Sequence, residues 1–192
     1  MGHFKYSIDF FSILSEPETN SSIRTVEWKN NKVIMIDQTK LPNELVFVEY
    51  DNYNQIADAI RNLVVRGAPA IGVSGAFGLA LAALQSNSTT KENLILDLQK
   101  AKQVLFETRP TAVNLAWGLE KVIKVAETGS SVDEIKSLAI ETSKKMAYED
   151  IEINRTMGKF GSELFENNDT IMTHCNAGAL ATVAYGLSLI HI

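Results

Sequence analysis

The chain has 192 residues, 45% of them hydrophobic and 21% charged, with a formal net charge of −5. That balance supports a sizeable core in one domain, or one domain with part of another, and leaves no basic footprint for nucleic acid. The single cysteine excludes an internal disulfide framework and suits a reducing compartment; without a CxxC or Cys/His cluster, no structural zinc site is expected.

Residues 1–22 carry a short apolar run, Ile8 to Leu14, interrupted by Asp9 and followed by the polar stretch Glu16 to Ser22. A secretory signal needs a longer apolar core and a small-residue cleavage site, so this segment reads as an extension without order. From 23 to 50 the pattern is extended. "IRTVEW" and "VIMID" flank Asn30-Asn31 as a hairpin, and "LVFVEY" at Leu45–Tyr50 is a third strand. Residues 51–168 turn helical. Ile56, Ala59, Ile60 and Leu63 repeat at i, i+3, i+4, i+7, with Asp51 as N-cap. Further helices are expected at Pro69–Gln85, Thr90–Glu107, Thr111–Glu127 and Ser131–Glu166. Ser131 and Glu134 stand at capping-box spacing, and Gly158 and Gly161 are points where the last helix could kink or divide. Ala68 to Leu84 holds no charge, yet it is short, glycine-interrupted and rich in alanine, which fits a buried helix better than a membrane span.

Beyond Asn167-Asn168-Asp169, "TIMT" reads as a buried strand running into "HCNAG", with a small-residue helix from near Ala177. Strand, tight turn and helix open an α/β unit, so 169–192 reads as the start of a Rossmann-like domain and the fold class as α/β.

Two arginines precede two helix starts. "VVRGAPAIG" places Arg66 and Gly67 before Pro69, and "ETRPTAVN" places Arg109 beside Pro110. A helix N-terminus offers free N–H groups and a partial positive charge, so two mouths and two guanidiniums can hold a phosphate. The alternative is that each arginine caps a preceding helix or pairs with an acid such as Glu107. Cys175, alone, is first of all a small buried hydrophobe.

Four runs, "VRGAPAIG", "TRPTAVNLAWGLE", "EDIEINRTMGKFG" and "MTHCNAGALATVAYG", closely resemble the methylthioribose-1-phosphate isomerases of methionine salvage. "RTVEW" and "IDQTKLP" resemble the start of that family. The similarity runs from Ile23 to Gly186 and covers the N-terminal half of a family member; "LSLIHI" and residues 1–22 fall outside it. The wider superfamily includes ribose-1,5-bisphosphate isomerases and the regulatory subunits of translation initiation factor 2B. Both stand as alternatives, though the thiol in "THCNAG" and the intact "RGAPAIG" favour the first family.

The resemblance implies an aldose–ketose isomerisation of 5-methylthioribose 1-phosphate to 5-methylthioribulose 1-phosphate, with no metal or organic cofactor. It further implies a cytoplasmic enzyme (also nuclear in a eukaryote), with no membrane or nucleic-acid partner and a homodimer as the full-length form. By motif, Arg66, Gly67 and Ala68 would bind substrate, Arg109 would help hold its phosphate, and Cys175 would be catalytic. The anomeric phosphate blocks formation of a free aldehyde. The ring must therefore open with acid assistance before hydrogen moves from C2 to C1, and a thiol beside those carbons serves as base or electrostatic stabiliser. His174, next to it on an extended segment, is expected to point away, and Asn176 and Gly178 to shape the turn. The family's catalytic aspartate, a substrate-binding glutamine and an Asn-Lys pair belong to the Rossmann-like half, so this chain reads as a fragment without activity of its own.

Overall fold

A computed structural model describes residues 3–6, 23–166 and 168–186. Four strands form one antiparallel sheet in the order β1-β4-β3-β2: β1 (His3–Tyr6), β2 (Val26–Lys29), β3 (Lys32–Ile36) and β4 (Leu45–Tyr50). Five helices follow, making an α/β mixture.

The hairpin closes at Asn30 and Asn31, whose φ of 52° and 58° give the two-residue turn that matches strand twist. Lys29 therefore pairs with Lys32, and Val26 with Met35. The N-terminal extension, expected to lack order, instead contributes β1, paired with β4 from His3↔Val48 to Tyr6↔Leu45. An edge strand offers unpaired backbone groups, and β1 covers those of β4. The remainder of the extension and the tail "LSLIHI" lie outside the described residues.

Helix α1 (Tyr53–Arg61) is capped by Asn52 rather than Asp51: the Asn52 side chain accepts the Asn54 N–H, and Gln55 accepts the Asn52 N–H in return. It buries Ile56, Ala57, Ala59 and Ile60. Leu63, expected on that face, lies past the helix end with φ +61° and is exposed. Helices α2 (Ala68–Gln85), α3 (Lys91–Phe106) and α4 (Val113–Ala126) match the expected spans to within two residues. Helix α5 (Val132–Ser162) runs unbroken through Gly158 and Gly161. At its start the Glu134 N–H donates to Ser131 Oγ, but the Glu134 carboxylate turns to the Ser130 N–H, 2.8 Å away. The capping box is thus shifted by one residue.

Helix α2 is the centre of the molecule. Every residue from Ala70 to Ala83 is buried, so its membrane-like composition is that of a core helix. It packs against α1, α3, α4, α5 and β2. Against α4 the two backbones touch: a Cβ on Gly118 would meet the Gly72 carbonyl oxygen at 2.5 Å, and one on Gly72 the Asn114 oxygen at 2.8 Å. Against α5, the buried Ser143 hydroxyl donates to the carbonyls of Ala76 and Ala139, each at 2.8 Å. Against the sheet, Phe77 meets Trp28 with ring centroids 5.7 Å apart.

The strand expected over "TIMT" and the helix expected from Ala177 are not formed. Residues 170–173 are irregular and exposed, with Met172 94% accessible, and the helix shrinks to one 3-10 turn, Ala179–Ala181. A parallel strand needs a neighbour to take its backbone bonds, and no described strand runs beside this one. The segment after Gly178 docks instead on the sheet region and on α5. Thr25 donates its N–H to the Val183 carbonyl (2.8 Å) and its hydroxyl to that of Ala179 (2.9 Å). Gln38 Nε2 donates to the Leu180 carbonyl at 2.8 Å. Asp150 on α5 accepts the Val183 N–H at 2.7 Å. Burial pushes the Asp150 carboxyl pKa up, although the Val183 N–H and the Asn154 amide pull the other way.

Two outcomes follow from this packing. Gly118→Ala must separate α2 from α4 and is expected to cost about 1–3 kcal/mol in denaturant unfolding; an unchanged midpoint would deny the close approach. A carboxyl raised on folding binds protons more tightly in the native state, so stability falls as pH rises from 3.8 through the folded-state pKa. Asp150→Asn is expected to flatten that slope in unfolding curves measured at successive pH values. A slope identical to that of the parent would contradict the burial of Asp150.

Candidate functional site

The N-termini of the five helices divide into two kinds. Helices α1, α3 and α5 begin under side-chain caps from Asn52, Thr90 and Ser131. Helices α2 and α4 begin at Gly67 and Ala112 with no side-chain cap. Those two are the helices the arginines precede. Pro69 has no N–H to leave unsatisfied, while Ala68 and Ala70 keep first-turn N–H groups with no intrahelical partner.

Arg66 is exposed and Arg109 half-buried, and among the described residues neither guanidinium has an ion pair or hydrogen bond. The pairing considered for Arg109 does not form; the Glu107 carboxylate accepts instead from Gln103 Nε2 at 2.6 Å. Arg109 is held by its backbone instead, its N–H donating to the Phe106 carbonyl (3.2 Å) and its carbonyl accepting the Ala112 N–H (3.0 Å). The contact of Gly72 with Asn114 brings the start of α4 against the second turn of α2.

Gly67 has φ +89°, and a Cβ there would sit 2.2 Å from the Ala181 Cα. Only glycine meets both conditions. Through this contact "RGAPAIG" and "GALATVAYG" touch directly. The chain then folds back on itself, since a Cβ on Gly186 would meet the backbones of Gly178 and Ala177 at 2.3 and 2.6 Å.

Cys175 stands in the loop leading to this turn, exposed, with φ +62°. It is not a buried hydrophobe. No hydrogen bond or ion pair joins it to Arg66 or Arg109 among the described residues. His174 is also exposed, and the alternation used to turn it away does not apply, because the left-handed residue after it breaks the extended path. Asn176 does shape the turn: its Oδ1 accepts the Gly178 N–H at 3.3 Å. The described residues contain no cluster of histidine, cysteine and acids able to hold a metal.

Two residues gain roles that the sequence did not assign. Asp150 ties down Val183, and Arg155 lies over the Tyr185 ring, 4.6 Å from its centroid. The neighbouring Tyr185 side chain, reinforced by Glu152, raises the Arg155 pKa above its ordinary value. The signal was the run "EDIEINRTMG", where Asp150, Asn154 and Gly158 recur every four residues on one helical side.

Comparison with known proteins places these features. A methylthioribose-1-phosphate isomerase of Geobacter metallireducens is 45% identical over 170 residues, which are 88% of this chain and 49% of that one. The solved 5-methylthioribose 1-phosphate isomerase of Pyrococcus horikoshii superposes with a TM-score of 0.82 at 43% identity, covering 93% of this chain and 49% of that one. A structure described as translation initiation factor eIF-2B, subunit delta, from A. fulgidus gives 0.81 at 46% identity, covering 88% and 50%. The chain thus spans about half the length of the relatives it matches. The model of the Initiation factor 2 subunit family matches residues 64–188, from just before Arg66 to beyond the docked turn, and this chain belongs to that family.

Proposed function

We propose that this chain carries the phosphate-binding and thiol-bearing half of an aldose–ketose isomerase that converts 5-methylthioribose 1-phosphate to 5-methylthioribulose 1-phosphate. The observation that carries the proposal is the pairing of two uncapped helix mouths with two guanidiniums that have no partner among the described residues, Arg66 before α2 and Arg109 before α4. An uncapped N-terminus presents N–H donors and dipole to an anion, and an arginine adds a charge-assisted fork. The relatives named for this activity add the substrate.

In this reading Arg66 and Arg109 hold the phosphate, and Gly67 and Ala68 let it approach the backbone of α2. Cys175 acts on the C1–C2 side of the opened sugar, as base or as electrostatic stabiliser. The exposed, left-handed position of Cys175 supports a part in chemistry over one in packing. The acid–base aspartate belongs to the half supplied by the relatives' remaining sequence. A second reading, a regulatory subunit without chemistry, has the initiation-factor structure in its favour. The exposed thiol is the feature it leaves without a role.

The test is kinetic. The 192-residue chain alone is expected to show no measurable turnover, and fused to the C-terminal half of an isomerase relative it is expected to turn over. In that fusion, Cys175→Ser is expected to lower kcat by about 10²–10⁴ with KM little changed. Arg66→Ala and Arg109→Ala are expected to raise KM by about one to two decades, from roughly 1.5–3 kcal/mol per charge-assisted contact. Arg109→Lys falls nearly as far where the contact is bidentate, since an ammonium lacks the planar fork. An unchanged kcat in Cys175→Ser would remove the thiol from the reaction and favour the regulatory reading.

A further inference from the structure

The buried positions of α5 end at Asn154, and none follows from Arg155 to Ser162. That free half nevertheless carries an apolar side. Ile153, Met157, Phe160 and Leu164 are spaced four, three and four residues apart, the rhythm that keeps side chains on one face of a helix. They are 57%, 42%, 63% and 79% exposed. Leu164 stands in the turn that closes the helix, its N–H donating to the Gly161 carbonyl at 3.0 Å. Arg155 lies two positions from both Ile153 and Met157, so the stripe turns away from the docked segment that Arg155 meets at Tyr185.

The apolar face continues onto α4. Lys121 Nζ lies 5.1 Å from the centroid of the Trp117 ring and 3.0 Å from Glu149 Oε2, which sets Trp117 beside Glu149. Helices α4 and α5 are packed together and joined by the short connection 127–131, so they run antiparallel. One turn further along, Val113 of α4 and Ile153 of α5 are therefore neighbours. Val113 is 78% and Trp117 54% exposed. At roughly 150–250 Å² for a large side chain, these six residues leave on the order of 700 Å² of apolar surface open. That exceeds the largest patch of an ordinary monomer, about 300–600 Å², and approaches the roughly 800 Å² that each partner buries in a stable complex.

We infer that this face binds a second copy of the chain, with the two α5 helices antiparallel about a two-fold axis between Met157 and Phe160. A spacing of four, three and four reads the same in both directions, so the stripe is complementary to itself. Ile153 meets Leu164 of the second copy, and Met157 meets its Phe160. Antiparallel packing also brings the opposite ends of the two helix dipoles together. Thr156 and Gly161, on the edges of the seam, bring no charge that contact would strip of water. The pairing goes beyond the isomerase reading and needs neither Arg66 nor Cys175.

Sedimentation equilibrium of the 192-residue chain tests this, with far-UV circular dichroism as the check on folding. A dimer is expected, with a Kd on the order of 10 μM or tighter. Met157→Glu and Phe160→Lys are each expected to weaken it about tenfold or more and to leave the helix signal unchanged, since both side chains are exposed. Arg66→Ala is expected to stay within about twofold of the parent. Mixed in equal amounts, the two stripe variants are expected to associate again, because the introduced carboxylate of one meets the introduced ammonium of the other. A parallel pair sets each position against itself and gains nothing from mixing. A chain that stays monomeric at about 1 mM, or a dimer that both variants leave intact, would overturn the pairing. Mixing without recovery would overturn its antiparallel direction. Amide shifts along the stripe on adding the C-terminal half of an isomerase relative to a monomeric chain would assign the face to that partner instead.

Discussion

Helix α2 has no side it can show to water, and the remainder of the structure is arranged to cover it. From Ala70 to Ala83 it is buried all round, with Ser74 satisfied by its own helix through the Ala70 carbonyl at 2.7 Å. Burial of apolar area is the main favourable term in folding, and a helix apolar on every side draws a neighbour to every side. Helices α1, α3, α4 and α5 and the sheet supply them. The glycines set how near each neighbour comes. Gly72 and Gly118 let α4 reach backbone contact, while Gly75 and Gly78 receive leucine side chains from α4 and α3.

That arrangement also places the candidate chemistry. Because α4 lies against α2 near Gly72, the Arg109 turn is carried to the Arg66 end of α2. The absence of side-chain caps at both starts then becomes meaningful, since the other three helices cap themselves. A capped N-terminus has already used donors that an anion would take. Gly67 has a second task, in that its bare Cα is where the Ala179–Ala181 turn rests.

The docked segment is held by a dispersed set of bonds: Thr25 and Gln38 from the sheet region, Asp150 from α5, and the Arg155–Tyr185 stack. None of these contacts is strong alone. Together they satisfy the carbonyls of Ala179, Leu180 and Val183 in a stretch that lacks regular structure, which is what keeps irregular backbone against a core.

Much of this was legible in the residues. Alternation gave the β2–β3 hairpin and β4, and period and caps gave the helices, because those signals act over a few residues along the chain. The uncharged composition of Ala68–Leu84 determined that this helix be covered. Where an outcome depended on partners distant in sequence, the residues alone misled. "TIMT" has the composition of a buried strand, but a strand is a pairing, and no described strand lies beside it. His3–Tyr6 has little strand signal of its own and becomes one by adding to β4. The sequence determined which residues are candidates for anion and thiol chemistry: Arg66, Gly67, Ala68, Arg109 and Cys175. Tertiary packing alone decided that the start of α4 lies against α2, that Cys175 stands exposed, and that Arg155 lies over the Tyr185 ring, because contacts between remote residues leave no local period to read.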